Sequence, residues 1–395
     1  MPYHTTRRGV LKAIGAAGTL SGFVGTVSGH DRPTTARYAA FNVIELETEQ
    51  VQEPGDPQAE AAARIVQEVR PDVLVVNELT NNLQEGEATD RANIDAFVEN
   101  YLSVPQRDDL KGIRYPHTLQ PDSNTGVLPE AEYDFNKDGE SGRRPGDAYG
   151  FGEYPGHYAF GIASRYPLDT NAVRSFRTFL WADMPDNLIP VEGDEGVETS
   201  EDSIYLTEEE LDAYRLSSKT HIDVPLKIRG ETVHGLFSHP TPPAFDGPNN
   251  FNGRWNHDEV RFFADYVAGE EYIYDDSGKS GGLDEDASYV LMGDMNAGPG
   301  TDRPLDPATK YFIENDDFDT RTLPTSPGGT ELGNPYATAE FGDGSHVDWV
   351  LPSPDLSVRA SSVVWPSTQM TRRGLLDDVR EASDHRMVWA DITAE

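Results

Sequence analysis

The residues of this chain best suited to chemistry are carboxylates, amides and histidines that stand directly after apolar runs. Asp294 and Asn296 follow Tyr289-Val290-Leu291-Met292-Gly293, a run that reads as a buried strand ending in a bend. Residues two apart on an extended chain point to the same side, so a carboxylate and an amide would face one spot. That pairing suits a water, a metal or a phosphate oxygen, although Asp and Asn after a strand also serve simply as turn formers. The placement recurs. Glu78 follows the apolar run 73–76 and Asn77. His239 precedes Pro240-Thr241-Pro242-Pro243, where three prolines in four residues stiffen the exit. Asn42 sits within 37–45, Asp348 within the apolar stretch 346–351, and Asp384-His385 just before 386–392. Singly, each reads as a turn residue or a hydrogen-bonded core residue. Together, each at the rim of a strand, they suggest one site. Hard oxygen ligands suit Mg²⁺, Mn²⁺ or Ca²⁺. A histidine with a carboxylate partner works near neutral pH.

Positioning these groups requires strands at 37–45, 73–76, 158–164, 216–226, 231–238, 289–292, 346–351, 357–364 and 386–392. The pair 216–226 and 231–238 reads as a hairpin turning at Arg229-Gly230, and 357–364 as the hairpin partner of 346–351. Helices are expected at 58–69, where Ala62, Ile65, Val66 and Val69 share a face, at 92–102, and at 255–268. Regular alternation of strands and amphipathic segments favours one α/β domain carrying insertions. The largest, about 120–157, is rich in Gly, Pro and Asp. Its aromatics Tyr149, Phe151 and Tyr154, with Tyr158 just after, suggest that it packs down. It also holds Asp134, Asn136 and Asp138 at the spacing that begins a calcium loop. The twelfth position is Pro145 rather than the bidentate Glu of an EF-hand, which leaves a looser Ca²⁺-ordered loop or an Asx-rich turn. Motifs for other chemistry are missing: no GxSxG, no P-loop and no HExxH. With no cysteine, thiol catalysis, zinc–thiolate sites and disulfides are excluded.

The set Phe41-Asn42-Val43, Asn77-Glu78, Ser238-His239, Gly293-Asp294-Met295-Asn296, His346-Val347-Asp348 and Ser383-Asp384-His385 resembles the endonuclease/exonuclease/phosphatase superfamily. The resemblance covers about residues 37–393. It implies a four-layer α/β/β/α sandwich of two mixed sheets, like that of deoxyribonuclease I, with the site at one edge between them. It further implies Glu78 as the main ligand of a catalytic Mg²⁺ (or Mn²⁺), with Asn42 and Asp384 in the metal shell. Asp294 would orient or deprotonate the attacking water, and Asn296 would hold the phosphate. His385, oriented by Asp348, would contact the phosphate or act as acid/base, and His239 would be a second phosphate or leaving-group histidine. Two departures stand out: Asn77 occupies the place where Gln often precedes the Glu, and His239 with its prolines replaces the Asn-containing loop of the apurinic endonuclease branch.

Charge is the outlier in composition, with 69 acidic against 32 basic residues and a net of −37. Only seven of the basic residues are Lys, and the acids are spread over the whole chain. Such a surface is a trade halophiles use, because salt screens the self-repulsion. It argues against a polybasic nucleic-acid clamp, and Arg143, Arg144 and Arg254 read as solvated surface residues before they read as local phosphate contacts. At the N-terminus, Thr6-Arg7-Arg8-Gly9-Val10-Leu11-Lys12 and the Gly/Ala-rich run to about Val27 read as a twin-arginine export signal. Residues 1–29 are then a signal peptide cleaved near Gly29 to His30, and 30–395 the exported domain. The run is short and broken by glycines, so no stable membrane anchor is expected. The partners are the twin-arginine export machinery and a phosphate-ester substrate such as DNA or RNA, acted on by a secreted monomer. The sequence favours a metal-dependent phosphodiesterase or nuclease. A phosphomonoesterase or an inositol or lipid phosphate hydrolase is the alternative, and a non-catalytic calcium-binding secreted module the second.

Overall fold

A computed structural model of the chain describes residues 34–84, 89–245, 247–300, 305–369 and 374–394. The expected export signal lies outside them. Residues 33–395 form one unit. Among the described residues no helix is long and apolar enough to cross a membrane.

Among the described residues eleven strands are formed: β1 (Thr34–Leu46), β2 (Val73–Leu79), β3 (His117–Leu119), β4 (Phe160–Ser164), β5 (Arg174–Ser175), β6 (Ile222–Ile228), β7 (Glu231–Phe237), β8 (Ser288–Asp294), β9 (Asp348–Pro352), β10 (Leu356–Val363) and β11 (Val388–Ala394). They build two sheets, in the orders β10-β11-β1-β2-β4-β3 and β5-β6-β7-β8-β9. Each sheet is mixed: β1 with β2 and β7 with β8 are parallel, and the other pairings are antiparallel.

Period-2 alternation decides the layering. On β1, Tyr38 and Ala40 point into the layer between the sheets, where they join Val75, Phe160, Val224, Phe237, Val290 and Met292. Ala39 and Phe41 point outward onto the helix Pro57–Val69 through Ala62, Ile65 and Val66. On β8, Leu291 faces outward onto the helix Phe251–Val267 through Trp255, Phe262 and Phe263. Both sheets are thus covered on both faces, which is why their central strands read as continuous apolar runs. The result is the expected α/β/β/α sandwich.

Local chemistry sets the helix ends. Asp56 caps Pro57–Val69 by accepting from Ala59 N at 2.9 Å, Pro57 starts the first turn, and Arg70 closes it at φ 58°. The expected helix at 92–102 is α-helical over Asn93–Phe97 and π-helical over Val98–Leu102.

Three expectations need correction. First, β10 is not the hairpin partner of β9: β9 pairs with β8, whereas β10 crosses to the other sheet and pairs with β11. Pro352 and Pro354 remove ladder donors where a hairpin would begin, and Leu356 and Val363 bury between the sheets instead. Second, β6 begins at Ile222 rather than 216. Third, the insertion packs down as expected, with Tyr149 against the core and Phe135 edge-on to Tyr214 with centroids at 4.7 Å, but Phe151 does not join in and stays 56% exposed. An unforeseen helix, Leu375–Ala382, docks on Pro57–Val69 with Asp378 bound by Arg64 (2.6 Å) and Arg107 (3.1 Å).

Candidate active site

Strand direction and register deliver the polar residues to one edge of the sandwich. Asn42 lies opposite Asn77 in the parallel β1–β2 ladder, one residue before Glu78. Asp294 ends β8 opposite Asp348, which starts β9. His239 leaves β7 and His385 precedes β11. The backbone bends sharply here. Glu78 (φ 62°) and Asn296 (φ 49°) are left-handed, as are Ile44 and Glu45 just past Asn42. Such conformations cost on the order of 1–3 kcal/mol each and persist only where the surroundings fix them. Gly293 (φ 147°) is required, since a Cβ there would lie 2.1 Å from Ser238 O.

The side chains converge tightly. Asn42 Nδ2 donates to Glu78 Oε1 and to Asp294 Oδ2, both at 2.9 Å, while its own oxygen accepts from Ile44 N. Asp294 Oδ1 accepts from Asn296 N at 2.8 Å. His239 Nε2 stands 3.6 Å from Asp294 Oδ2 and 3.9 Å from Glu78 Oε1. On the other side of Asp294, His385 Nε2 is 3.7 Å from Oδ2, and its Nδ1 is hydrogen-bonded to Asp348 Oδ2 at 2.9 Å. Phe341 sets its ring edge-on to His385, centroids 5.3 Å apart.

Among the described residues two sets of donor atoms could hold a metal ion: Glu78, His239 and Asp294, and Asp294, Asp348 and His385, the atoms of each set within 4.8 Å of one another. The donors fit a divalent cation. Gaps of 3.6–3.9 Å are too long for hydrogen bonds, and ligands about 2.1 Å from a common ion stand roughly 3–4 Å apart.

Electrostatics separate the two histidines. Burial drives the His239 pKa well down, and Lys219 and His385 push it further, so the ring is neutral. Burial also opposes charge on His385, but Asp348 and Asp294 outweigh it and raise the pKa to about 10, so this ring is a cation at pH 7. Desolvation raises Asp294, with Asp348 adding to it and His385, Asn296 N and Asn42 opposing. Glu78 is likewise raised by desolvation against Asn42, His385 and Lys219, although 18% of its side chain still meets solvent.

The expected residues do not all share this centre. Asn42 turns its amide nitrogen, not its oxygen, toward the carboxylates. Asn296 ties Pro240 O through Nδ2 at 3.1 Å as well as capping Asp294. Asp384 is in neither donor set and lines an adjoining cavity of about 690 Å³ with Glu45, Gln58, Glu340, Arg380 and Arg386. In the insertion, Asn136 donates to Asp138 Oδ2 at 3.0 Å, Asp134 Oδ2 accepts from Gly139 N, and Lys137 reaches Asp134 O, so Asx turns close this loop upon itself. Of the candidate phosphate-contacting arginines, Arg143 pairs with Glu140, Arg144 reaches Gly126 O, and Arg254 binds Asn249 O and Leu188 O.

Sequence reasoning missed the supports. Asn77 accepts from Asp294 N (3.3 Å) and donates to Ser238 O (3.4 Å), clipping β2 to the ends of β7 and β8. Buried Lys219 donates to Pro240 O at 3.3 Å. Glu259 accepts from Ser218 N, Ser218 Oγ and Thr241 N, which holds the turn after His239. Its signal was present, since Trp255, Glu259, Phe262 and Tyr266 share one stripe of a helix and a carboxylate on that stripe must find buried donors.

No curated protein matches this chain in sequence. Among solved structures, an endonuclease/exonuclease/phosphatase from Beutenbergia cavernae DSM 12333 superposes with a TM-score of 0.51 at 16% identity. The match covers 92% of this chain and 72% of that one, a likeness of fold. A Staphylococcus aureus beta toxin mutant with bound magnesium ions (TM-score 0.44, 13% identity, 91% and 99% covered) is also similar. So is a Streptomyces griseocarneus sphingomyelinase C (TM-score 0.44, 13% identity, 90% and 99% covered). A family model matches residues 51–385, and by that match the chain belongs to the Endonuclease/Exonuclease/phosphatase family.

Proposed function

We propose that the chain is a metal-dependent phosphoric diester hydrolase, exported by the twin-arginine route and adapted to high salt. The observation that carries the catalytic reading is the convergence of Glu78, Asp294 and His239 beside the Asp348–His385 pair at one sheet edge. Glu78 and Asp294, with His239 through its neutral ring, would hold a divalent cation such as Mg²⁺ or Mn²⁺, which when bound neutralises phosphoryl charge and eases departure of the leaving oxygen. Asp294 is fixed at Oδ1 by Asn296 N and at Oδ2 by Asn42 Nδ2, and Oδ2, which faces His239 and His385, has a second lone pair with which it would align a water and take its proton. His385, charged at pH 7 and unable to rotate because Asp348 holds Nδ1, presents Nε2–H to an anionic oxygen. It acts as an electrostatic clamp and proton donor rather than a base. A diester is favoured over a monoester because the centre is rich in buried carboxylates, and one substrate charge is easier to neutralise than two.

The test is hydrolysis of bis(p-nitrophenyl) phosphate in molar salt with Mg²⁺, beside plasmid DNA, RNA, phytate and p-nitrophenyl phosphate. Diester cleavage that Glu78→Gln and His385→Ala each reduce by at least about 10³-fold supports the reading. Preferential cleavage of the monoester or of phytate would move the substrate class. Wild type inert on every substrate and metal would leave a binding module.

A further inference from the structure

Asp348 and His385 form one hydrogen-bonded pair, yet they belong to different sheets. Asp348 opens β9, which pairs with β8, whereas His385 precedes β11, which pairs with β1 and β10. No ladder therefore sets the distance between them. The segment 338–345 spans the gap. Thr338 Oγ1 accepts from Val347 N and Asp348 N, both at 3.0 Å, and Thr338 O accepts from Arg386 N at 2.7 Å. One residue thus grips the backbone on each side of the pair. Ala339 bridges to Ser345 and to His385, and Glu340 N donates to Asp384 O at 2.9 Å.

Arg386 locks the arrangement. Its Nη1 donates to Ser383 O at 2.7 Å and to His385 O at 2.9 Å, its Nη2 binds the Glu340 carboxylate, and its guanidinium lies over Trp365 at 4.5 Å. The residue is 1% exposed, although it is an arginine. A buried guanidinium spread over the carbonyls next to a functional histidine fixes that histidine's main chain more firmly than a flexible lysine could. Thr338 is fully buried, and its hydroxyl accepts from two consecutive backbone amides, Val347 N and Asp348 N.

The geometry points to 338–345 as a bracket that sets the spacing of Asp348 and His385 across the two sheets, with Thr338 and Arg386 as positioning residues. Neither touches the reacting atoms; Thr338 acts through the main chain of both Asp348 and His385, and Arg386 through that of His385. The assignment of a rate effect rests on the proposed hydrolase reading, whereas the bracket itself is measurable without turnover.

Thr338→Val keeps the shape and removes the acceptor, and Thr338→Ser restores it. Displacing a reacting group by about 1 Å costs on the order of 10²-fold. The expected result for Thr338→Val is a kcat on bis(p-nitrophenyl) phosphate about 10–100-fold lower with KM changed less than about 3-fold, and recovery of most of the loss in Thr338→Ser. Arg386→Lys should lose kcat similarly, because an ammonium cannot span both carbonyls and Glu340. Hydrogen exchange measured on the same Thr338→Val protein should rise together at 345–349 and at 384–387. A folded Thr338→Val with wild-type kcat overturns the proposal, as does faster exchange confined to 347–348. If the wild type cleaves no phosphate ester, the hydrolase reading falls while the exchange data still decide the bracket.

Discussion

Replacing Asn42 with Ala gives a direct reading of how the buried carboxylates are held. Asn42 Nδ2 is shared between Glu78 Oε1 and Asp294 Oδ2 at 2.9 Å each. Hydrogen bonds to charged groups contribute about 1.5–3 kcal/mol each, so losing both costs roughly 3–6 kcal/mol without metal. Unfolding entropy of about 2.1 cal/mol/K per residue gives about 0.75 kcal/mol/K for a unit of this size, so the melting temperature should drop by about 4–8 °C. The measurement is calorimetric melting in molar salt, with EDTA and then with excess Mg²⁺. A cation between the carboxylates supplies the positive partner that Asn42 provided, so Mg²⁺ should narrow the gap between variant and wild type. Asn42→Asp, which adds a third carboxylate, should melt lower still in EDTA and recover more with Mg²⁺. Equal melting of Asn42→Ala and wild type in EDTA would refute the account of Asn42. A gap that Mg²⁺ leaves untouched would refute the metal site.

Other outcomes follow from the same structure. His221 is neutral and buried, with Nδ1 at 2.7 Å from Ser217 Oγ and Nε2 at 2.9 Å from Glu259 O, and burial holds its pKa down to about 3. Its folded pKa lies below the unfolded value, so the unfolded chain binds the extra proton. The stability involved is complete above about pH 6.5 and is lost as pH falls toward 3, by about 1.4 kcal/mol per unit. Urea unfolding between pH 7 and pH 5 should show this slope reduced in His221→Gln; an unchanged slope counts against it. Activity on a nucleic-acid or other anionic substrate should rise with salt up to the molar range, where the Debye length is roughly 3 Å and the net charge of −37 is screened. A steady decline from low salt upward would contradict the adaptation to high salt.

The layers and the edge where the candidate site residues gather were legible in the sequence because both rest on local signals. Continuous apolar runs marked strands covered on both faces, and a polar residue closing such a run marked the edge where the loops meet. The supports were illegible because their meaning depends on what lies across space. Thr338 sits in a loop-rich stretch and gains its role only when β9 and β11, in different sheets, bring two backbones to its hydroxyl and carbonyl. Nothing in 352–355 distinguishes a hairpin turn from a crossing between sheets except its two prolines, and the segment crosses because Leu356 and Val363 find burial between the layers. Leu375–Ala382 is too short for its apolar positions to outweigh Asp377, Asp378, Arg380 and Glu381, and Asp378 proves to be a contact, held by two arginines 271 and 314 residues away in sequence. The same logic divides the two histidines. Both stand beside strand-like runs and both are buried, yet one faces Lys219 and a second cationic ring while the other sits between two aspartates. One ring is therefore neutral and the other cationic at pH 7, and on the proposed hydrolase reading that difference would put His239 on the cation-holding side of Asp294 and His385 on the anion-facing side.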